Sequence, residues 1–159
     1  MELIKSSRHS KIVGSFGEHL VCNWLSRSGF EVSIVDHTGI DIVAYNPASK
    51  QRLGISVKSR TRSAGTESAS LLFFRKAEDR DKLLRAGKFF AAEPWLAIYI
   101  ETRGGADLFL TSLENYDRNY GSEKATVQAW SMNTGSFQKY RIDNGVKHIH
   151  IEFTPHSWW

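Results

Sequence analysis

The pattern of apolar and polar positions predicts a helix near the start of the chain, followed by three strands. From Val13 to Leu25, apolar residues recur at spacings of three and four, which is the period of one helix face. This helix is expected over residues 14–28, because Ser28-Gly29 forms a suitable C-terminal stop. Segments rich in β-branched and apolar residues then predict strands over 30–35, 40–45 and 53–59.

The middle of the chain continues with a second helix and a buried strand. A Ser/Thr/Gly-rich loop is expected over 61–70, a basic helix over 74–89 and a strand over 95–100. Weaker patterns predict strands over 107–111, 127–132, 137–142 and 147–153, and a short helix over 112–120. The order helix, three strands, helix, strand predicts an α/β protein with a mixed sheet and helices packed on it.

Composition restricts the class of protein further. The chain has 159 residues, 41% apolar and 24% charged, which fits one globular domain with a hydrophobic core. No apolar run approaches the ~20 residues that span a bilayer, and the first residues lack the pattern of a secretion signal. The single cysteine, Cys22, excludes an intrachain disulfide. We therefore expect a cytoplasmic protein without a membrane partner.

The positive charge is concentrated in the middle of the chain. The net charge is +4, yet residues 50–88 hold eleven basic and four acidic residues and so carry +7. The rest of the chain carries −3. This distribution indicates a polyanion bound at one face. A solvated basic helix, or one that binds an acidic protein, is the alternative.

Three charged residues lie in or beside apolar elements and are the strongest functional signal. Asp41 lies within the apolar run of 40–44, and burying an unpaired carboxylate is costly. Lys58 ends the run 54–58, where the two-residue period places it on the same face as Ser56. Glu18 borders the apolar stripe of the first helix.

Each of these residues also has an ordinary structural interpretation. Asp41 could end an exposed strand or cap a turn, Lys58 could protect an edge strand from pairing, and Glu18 could pair with a surface lysine.

Three short motifs together resemble the PD-(D/E)XK nuclease superfamily, and within it the restriction-endonuclease-like and Holliday-junction-resolvase-like proteins. The motifs are Gly14-Ser15-Phe16-Gly17-Glu18, Gly39-Ile40-Asp41-Ile42-Val43-Ala44 and Val57-Lys58-Ser59-Arg60. The resemblance covers about residues 14–100. It implies a restriction-endonuclease-like αβββαβ core in one domain over 1–159, with a mixed sheet flanked by helices and a β-rich C-terminal extension over 101–159.

The resemblance also implies a metal-dependent DNA endonuclease that hydrolyses phosphodiester bonds. Asp41 would be the principal ligand of Mg²⁺ or Mn²⁺, Glu18 an additional ligand, and the backbone carbonyl of Val57 would complete the coordination. Lys58 would orient or deprotonate the attacking water and stabilise negative charge on the phosphate. Magnesium prefers oxygen ligands and retains several waters, so one or two carboxylates can suffice.

The chain departs from the motif at Ser56, where the superfamily has an acidic residue. A hydroxyl does not supply the missing negative charge. By analogy with restriction enzymes that recruit a glutamate from the following helix, Glu78 is the best substitute, and Glu67 and Asp79 are weaker ones. The alternative is a catalytically inactive DNA-binding module on the same fold.

Further basic residues are candidates for contacts with DNA. Arg60 and Arg62 follow Lys58 into the loop, and Arg75 and Lys76 lie at the start of the basic helix. Such side chains hold phosphates and position the backbone without specifying its sequence. The resulting hypothesis is an enzyme for branched DNA, or for a specific site as a homodimer.

Two histidines near the C-terminus form a weaker candidate. His148 and His150 share one face of a predicted strand, at a spacing that can ligate zinc. The sequence offers no third ligand nearby, which favours a half-exposed strand.

Overall fold

The computed structural model describes residues 4–122 and 124–155. Its helices are α1 (His9–Arg27), α2 (Ala77–Phe89), α3 (Leu113–Asn119) and α4 (Thr134–Ile142). Its strands are β1 (Glu31–His37), β2 (Ile40–Tyr45), β3 (Arg52–Thr61), β4 (Leu71–Phe74), β5 (Glu93–Glu101), β6 (Gly105–Ser112), β7 (Gln128–Trp130) and β8 (Val146–Glu152).

Six strands form one mixed sheet in the order β1-β2-β3-β5-β6-β8. The pairing of β3 with β5 is parallel and the other four pairings are antiparallel. The expected α/β class and αβββαβ order are therefore confirmed, with the short β4 inserted before α2. β4 pairs with β7 in a separate two-stranded sheet, whereas β6 and β8 extend the main sheet.

The sheet has a hydrophobic core on each face. α1 covers one face with Val13, Val21 and Leu25, which recur on a single stripe of the helix. α2, α3, α4 and the small sheet cover the other face, where Trp130 is fully buried. Side chains of β5 alternate between the two cores, as the two-residue period of a strand requires, whereas the buried apolar side chains of β3 (Leu53, Ile55 and Val57) all lie in the core beneath α1.

Three expectations about secondary structure are wrong. The first helix, expected to start at residue 14, already begins at His9. The predicted strand over 137–142 is part of α4, because Asn133 caps this helix by accepting a hydrogen bond from the Ser136 amide at 2.8 Å. The three-residue spacing of Phe137 and Tyr140 then turns both rings towards the core. The expected start of the basic helix, residue 74, instead ends β4, and α2 begins at Ala77.

The described helices have no membrane-spanning character. In residues 4–122 and 124–155, none combines the length and the apolar composition needed to cross a bilayer.

Candidate active site

The site is built around a point where β2 and β3 separate. Their pairing includes Ile42 with Ile55 but does not continue to Asp41 and Ile40. Ile40 packs in the core beneath α2, whereas Ile42 packs in the core beneath α1. Residues two apart in a regular strand face the same side, so β2 changes face at Asp41, and this change aims the Asp41 side chain into the gap between the strands.

The Asp41 carboxylate replaces the missing strand pairing. Its Oδ2 atom accepts a hydrogen bond from the Val57 amide at 2.6 Å. Burial raises the pKa of Asp41, while the Val57 amide and the Lys58 ammonium oppose this rise and Asp36 adds to it. Asp41 is therefore a fixed, half-buried carboxylate whose charge is only partly compensated.

α1 brings Glu18 to the same place. A Cβ atom on Gly17 would lie 2.2 Å from the Ser59 Oγ atom, so the absence of a side chain lets α1 approach β3 closely. The adjacent Glu18 is half-buried, and its pKa is raised by burial first and by the charges of Asp41 and Asp36 next. The glycine of the Gly14–Glu18 motif thus places this carboxylate in the electrostatic environment of Asp41.

Asp36 is a third carboxylate of this site, and the sequence interpretation missed it. Its charge raises the pKa of both Glu18 and Asp41. It lies at an irregularity of the β1–β2 pairing between Ile34 and His37, with a φ of 44°. Aspartate tolerates this left-handed conformation better than most residues. The Asp-His-Thr-Gly turn sequence was the available signal.

The donor chemistry of this group fits a hard divalent cation. Among residues 4–122 and 124–155, no three His, Cys, Asp or Glu side chains form a ready-made metal-binding group. However, two carboxylates can hold Mg²⁺ when water and substrate oxygens complete its shell, and the charge of Asp41 raises the pKa of Glu18. The Val57 carbonyl points to the same side as its amide, as in any strand, and so faces the Asp41 side chain.

A basic cleft lies next to these carboxylates, on the α2 side of the sheet. Its floor is β3, and its walls are the turn after β1, the strand β4 and the start of α2. Four cationic side chains border it, and Asp79 is the one carboxylate among its lining residues: Thr38, Gly39, Ser56, Lys58, Arg60, Leu72, Phe73, Phe74, Arg75, Asp79 and Lys82. Lys58 belongs to this cleft and also acts on Asp41 and Glu18, so it joins the two parts of the site.

The candidate substitutes for an acid at position 56 lie in different surroundings. Glu78 and Glu67 are exposed and do not line the cleft, whereas Asp79 does. Asp79 accepts a hydrogen bond from the Arg75 amide at 3.0 Å, which is the main reason that its pKa is lowered, and lies 3.6 Å from the Lys82 ammonium. A metal-binding role for Glu78 stays a prediction.

The four basic residues predicted to contact DNA also differ in their surroundings. Arg60, Arg75 and Lys76 are exposed, and Arg60 binds only the adjacent Ser59 carbonyl. Arg62 instead donates to the carbonyls of Ala69 and Ser70, at 3.0 and 2.8 Å. Burial lowers the pKa of this guanidinium. Arg62 therefore organises the loop that follows β3, and its contact with DNA stays a prediction.

The histidine pair has a partner that the sequence did not reveal. His148 and His150 both approach the Asp107 Oδ1 atom, at 2.7 and 2.8 Å. β6 and β8 place Asp107 opposite His150, and the His148 ring stacks on Phe109 with centroids 4.5 Å apart. Burial opposes the charge of Asp107, but the two imidazole hydrogen bonds more than offset it and lower the pKa. This cluster ties the outer strand of the sheet to its neighbour.

Fold and site together define an α/β protein with carboxylates and a lysine at a strand fork and a basic cleft beside them. No protein-family model matches the chain. No curated protein matches it either. Among solved structures, the chain is similar to Hjc, a Holliday junction resolvase from the archaeal hyperthermophile Archaeoglobus fulgidus. The two share 22% identity with a TM-score of 0.47, over 74% of this chain and 87% of that chain.

Proposed function

We propose that this chain is a metal-dependent DNA endonuclease that hydrolyses phosphodiester bonds. The observation that carries the proposal is the Asp41 carboxylate, which is held by the Val57 amide at the strand fork, with Glu18 and Lys58 beside it. A structural aspartate would not need a second carboxylate within its electrostatic reach. Perturbed carboxylates next to a cationic cleft are typical of catalytic sites.

Each residue has a defined part in this reaction. Asp41 and Glu18 would hold Mg²⁺ or Mn²⁺, and the Val57 carbonyl would be a further oxygen ligand. A bound divalent cation supplies Lewis-acid activation of water and neutralises negative charge that develops on the phosphate. Lys58, which faces both the carboxylates and the cleft, orients the attacking water and stabilises that same charge. Arg60 and Arg75 hold the neighbouring phosphates.

Asp36 supplies the negative charge that Ser56 lacks. It is the third carboxylate whose charge acts on Glu18 and Asp41, and its place on an irregularity of β1 is a common feature of strands beside active sites. Under this proposal Glu78 is the alternative source of charge, and exchange of each residue for its amide separates the two.

We further propose that the enzyme works as a homodimer when it cuts both strands of DNA. One chain offers one set of carboxylates, so symmetric cleavage of a duplex requires two chains. With β6 and β8 extending the same sheet, the chain is proposed to act as a single domain.

The second candidate is a DNA-binding module that does not cut. Ser56 favours it, because this residue is buried in the cleft and contributes no charge where the superfamily motif has an acid. Such a module would use the same cleft and the same basic residues.

The deciding experiment is an assay of supercoiled plasmid and of a branched duplex with Mg²⁺, with Mn²⁺ and with EDTA. We expect metal-dependent nicking that falls by at least ~100-fold in Asp41→Asn and Lys58→Ala. Asp81→Asn and Lys88→Gln are matched controls, because both residues are exposed on α2 and lie outside the cleft. DNA binding without metal-dependent nicking would support the second candidate and reject the nuclease.

A further inference from the structure

The basic cleft is bordered by the turn after β1, by β4 and by the start of α2, and these walls limit what can bind in it. The turn after β1 packs directly on α2, since a Cβ atom on Gly39 would lie 2.4 Å from the Lys82 carbonyl oxygen. After β4, the Arg75 amide donates a hydrogen bond to the Asp79 carboxylate in the first turn of α2. A nucleic-acid strand that ends in the cleft fits these walls better than one that passes through it.

A buried serine without a hydrogen-bond partner lies at the floor of the cleft. Ser56 is 5% exposed, and in the described part of the chain its hydroxyl makes no hydrogen bond. The Ser56 Oγ atom is not itself enclosed, so it opens onto the cleft and is available to a ligand there. The hydroxyl can donate to an anion or accept from a cation.

The charge of the cleft decides between these two possibilities. Lys58, Arg60, Arg75 and Lys82 border it. The single lining carboxylate, Asp79, already accepts the Arg75 amide and lies beside the Lys82 ammonium. The Ser56 hydroxyl therefore faces cations, and its natural ligand is an anion.

We propose that the cleft binds the terminal phosphate monoester of a nucleic-acid strand, with the Ser56 hydroxyl donating to a phosphate oxygen. The proposal rests on the proposed function in that its ligand is a nucleic acid. A monoester carries about two negative charges at pH 7 and three acceptor oxygens, which suits the excess of cations better than a single diester charge does. Serine at position 56 is then required, because an acid there would repel the phosphate.

This assignment predicts the substrate class of the enzyme. Strands with phosphorylated ends, such as nicked or recessed duplexes, would bind with their terminal phosphate against Ser56 and Lys82. Asp41 and Glu18 do not line the cleft and remain available for the metal ion. Phosphate binding and metal binding are thus assigned to different side chains of one site.

The test measures binding in EDTA, where no cleavage occurs. Fluorescence anisotropy compares three labelled oligonucleotides with 5′-phosphate, 3′-phosphate or two hydroxyl ends, and inorganic phosphate serves as competitor. At pH 7.5 we expect one phosphorylated end to bind at least about tenfold more tightly than the unphosphorylated strand. The preference should decrease at pH 5.5, because the second phosphate pKa is about 6.

Variants locate the effect in the cleft. We expect Ser56→Ala and Lys82→Gln each to reduce the preference for the phosphorylated end by about tenfold. Ser56→Asp should abolish it. Lys88→Gln is the control, because Lys88 is exposed on the same helix but outside the cleft. Circular dichroism of each variant verifies folding.

Equal binding of phosphorylated and unphosphorylated strands would overturn the proposal, as would a preference that survives Ser56→Ala and Lys82→Gln. Competition by inorganic phosphate without any preference among the strands would also contradict it, since the cleft would then hold free phosphate. A covalently closed plasmid has no strand ends, so its metal-dependent nicking tests the nuclease separately. Failure of nicking with an intact end preference rejects only the nuclease, and the reverse result rejects only the phosphate pocket.

Discussion

Asp41 combines a structural task with a chemical one, and the two have opposite effects on stability. Its carboxylate accepts a hydrogen bond from the Val57 amide and so bridges the gap between β2 and β3. Its charge, however, is half-buried near Glu18 and Asp36, so ionisation of Asp41 costs free energy in the folded protein. A divalent cation would remove this cost, which makes the stability of the protein a measure of metal binding.

Exchange of Asp41 for asparagine should therefore stabilise the metal-free protein at neutral pH. The amide oxygen of the introduced asparagine can still accept the Val57 hydrogen bond, while the buried charge is lost. We expect the melting temperature in EDTA at pH 7.5 to rise by about 2–4 °C, which corresponds to about 1 kcal/mol for a chain of this size. Mg²⁺ or Mn²⁺ should raise the melting temperature of the wild type and leave that of Asp41→Asn unchanged.

The raised pKa of Asp41 also predicts how the stabilisation by Asp41→Asn depends on pH. The folded-state pKa of Asp41 is raised, so the folded protein holds this proton more tightly than the unfolded chain does. The destabilisation by Asp41 is thus absent below the unfolded pKa of about 3.9 and fully present above the folded pKa. The stabilising effect of Asp41→Asn should disappear as the pH falls towards 4. A rise in melting temperature that persists at low pH, or no rise at pH 7.5, would contradict the argument that burial of the Asp41 charge is costly.

The sequence revealed those site residues that stand out from apolar neighbours, and missed those placed by backbone irregularities. Asp41, Lys58 and Glu18 were recognisable because each interrupts or borders an apolar pattern. Asp36 was not, because its position depends on a positive φ and on an irregular pairing of β1. Periodicity assumes a regular strand and so assigns such a residue to an ordinary turn.

At the level of elements, the shape of the site depends on the turn between β1 and β2. Gly39 has a φ of 96°, and its α-carbon faces the backbone of α2 at Lys82. This contact forms one wall of the cleft and sets the position from which β2 starts at Ile40. A side chain at residue 39 would strain the backbone and push the turn away from α2.

Exchange of Gly39 for alanine should be strongly destabilising, whereas the same exchange at Gly65 should be mild. Gly65 has a similar φ of 83° but open space around it, so it isolates the cost of the backbone conformation. We expect a loss of about 1–2 kcal/mol for Gly65→Ala and about 2–4 kcal/mol for Gly39→Ala, measured by urea unfolding. Equal losses would mean that the contact with α2 contributes nothing.

The elements that sequence patterns missed are those defined by distant partners or by caps. β4 has four residues, and its pairing partner β7 lies more than 50 residues later in the chain. Nothing local to residues 71–74 specifies that pairing. α4 was misassigned because its apolar residues are few, and its start depends on the side chain of Asn133. The long amphipathic α1 and the buried strands β2 and β5 were predictable because their patterns are strong and local.

For the molecule as a whole, the basic segment contains fewer available cations than its net charge indicates. Arg80 donates to the Asp117 carboxylate, at 2.9 Å for one of the two contacts, and to Gln128 at 3.3 Å. Arg62 is held by loop carbonyls. Both guanidinium groups therefore support the fold. The cations available to a polyanion are those along the cleft.

The salt dependence of DNA binding should separate these two groups of basic residues. For each phosphate that is neutralised, the slope of log affinity against log salt changes by about 0.9. We expect Arg60→Gln to make the slope shallower by about 1 and to leave the free energy of unfolding unchanged. Arg80→Gln should keep the slope and lower the free energy of unfolding by about 2 kcal/mol, because the partly buried Asp117 loses its partner.

Fluorescence anisotropy over 50–300 mM salt measures the slope, and urea unfolding of the same preparations measures the free energy of unfolding. Lys50→Gln is the control, because Lys50 is a basic residue in the β2–β3 connection and does not line the cleft. A shallower salt dependence in Arg80→Gln would mean that DNA competes with Asp117 for this guanidinium. An unchanged slope in Arg60→Gln, together with an unchanged slope in Lys50→Gln, would place the DNA path away from the cleft. Because that result would remove the phosphate from the neighbourhood of Asp41, it would count against the nuclease as strongly as the absence of nicking.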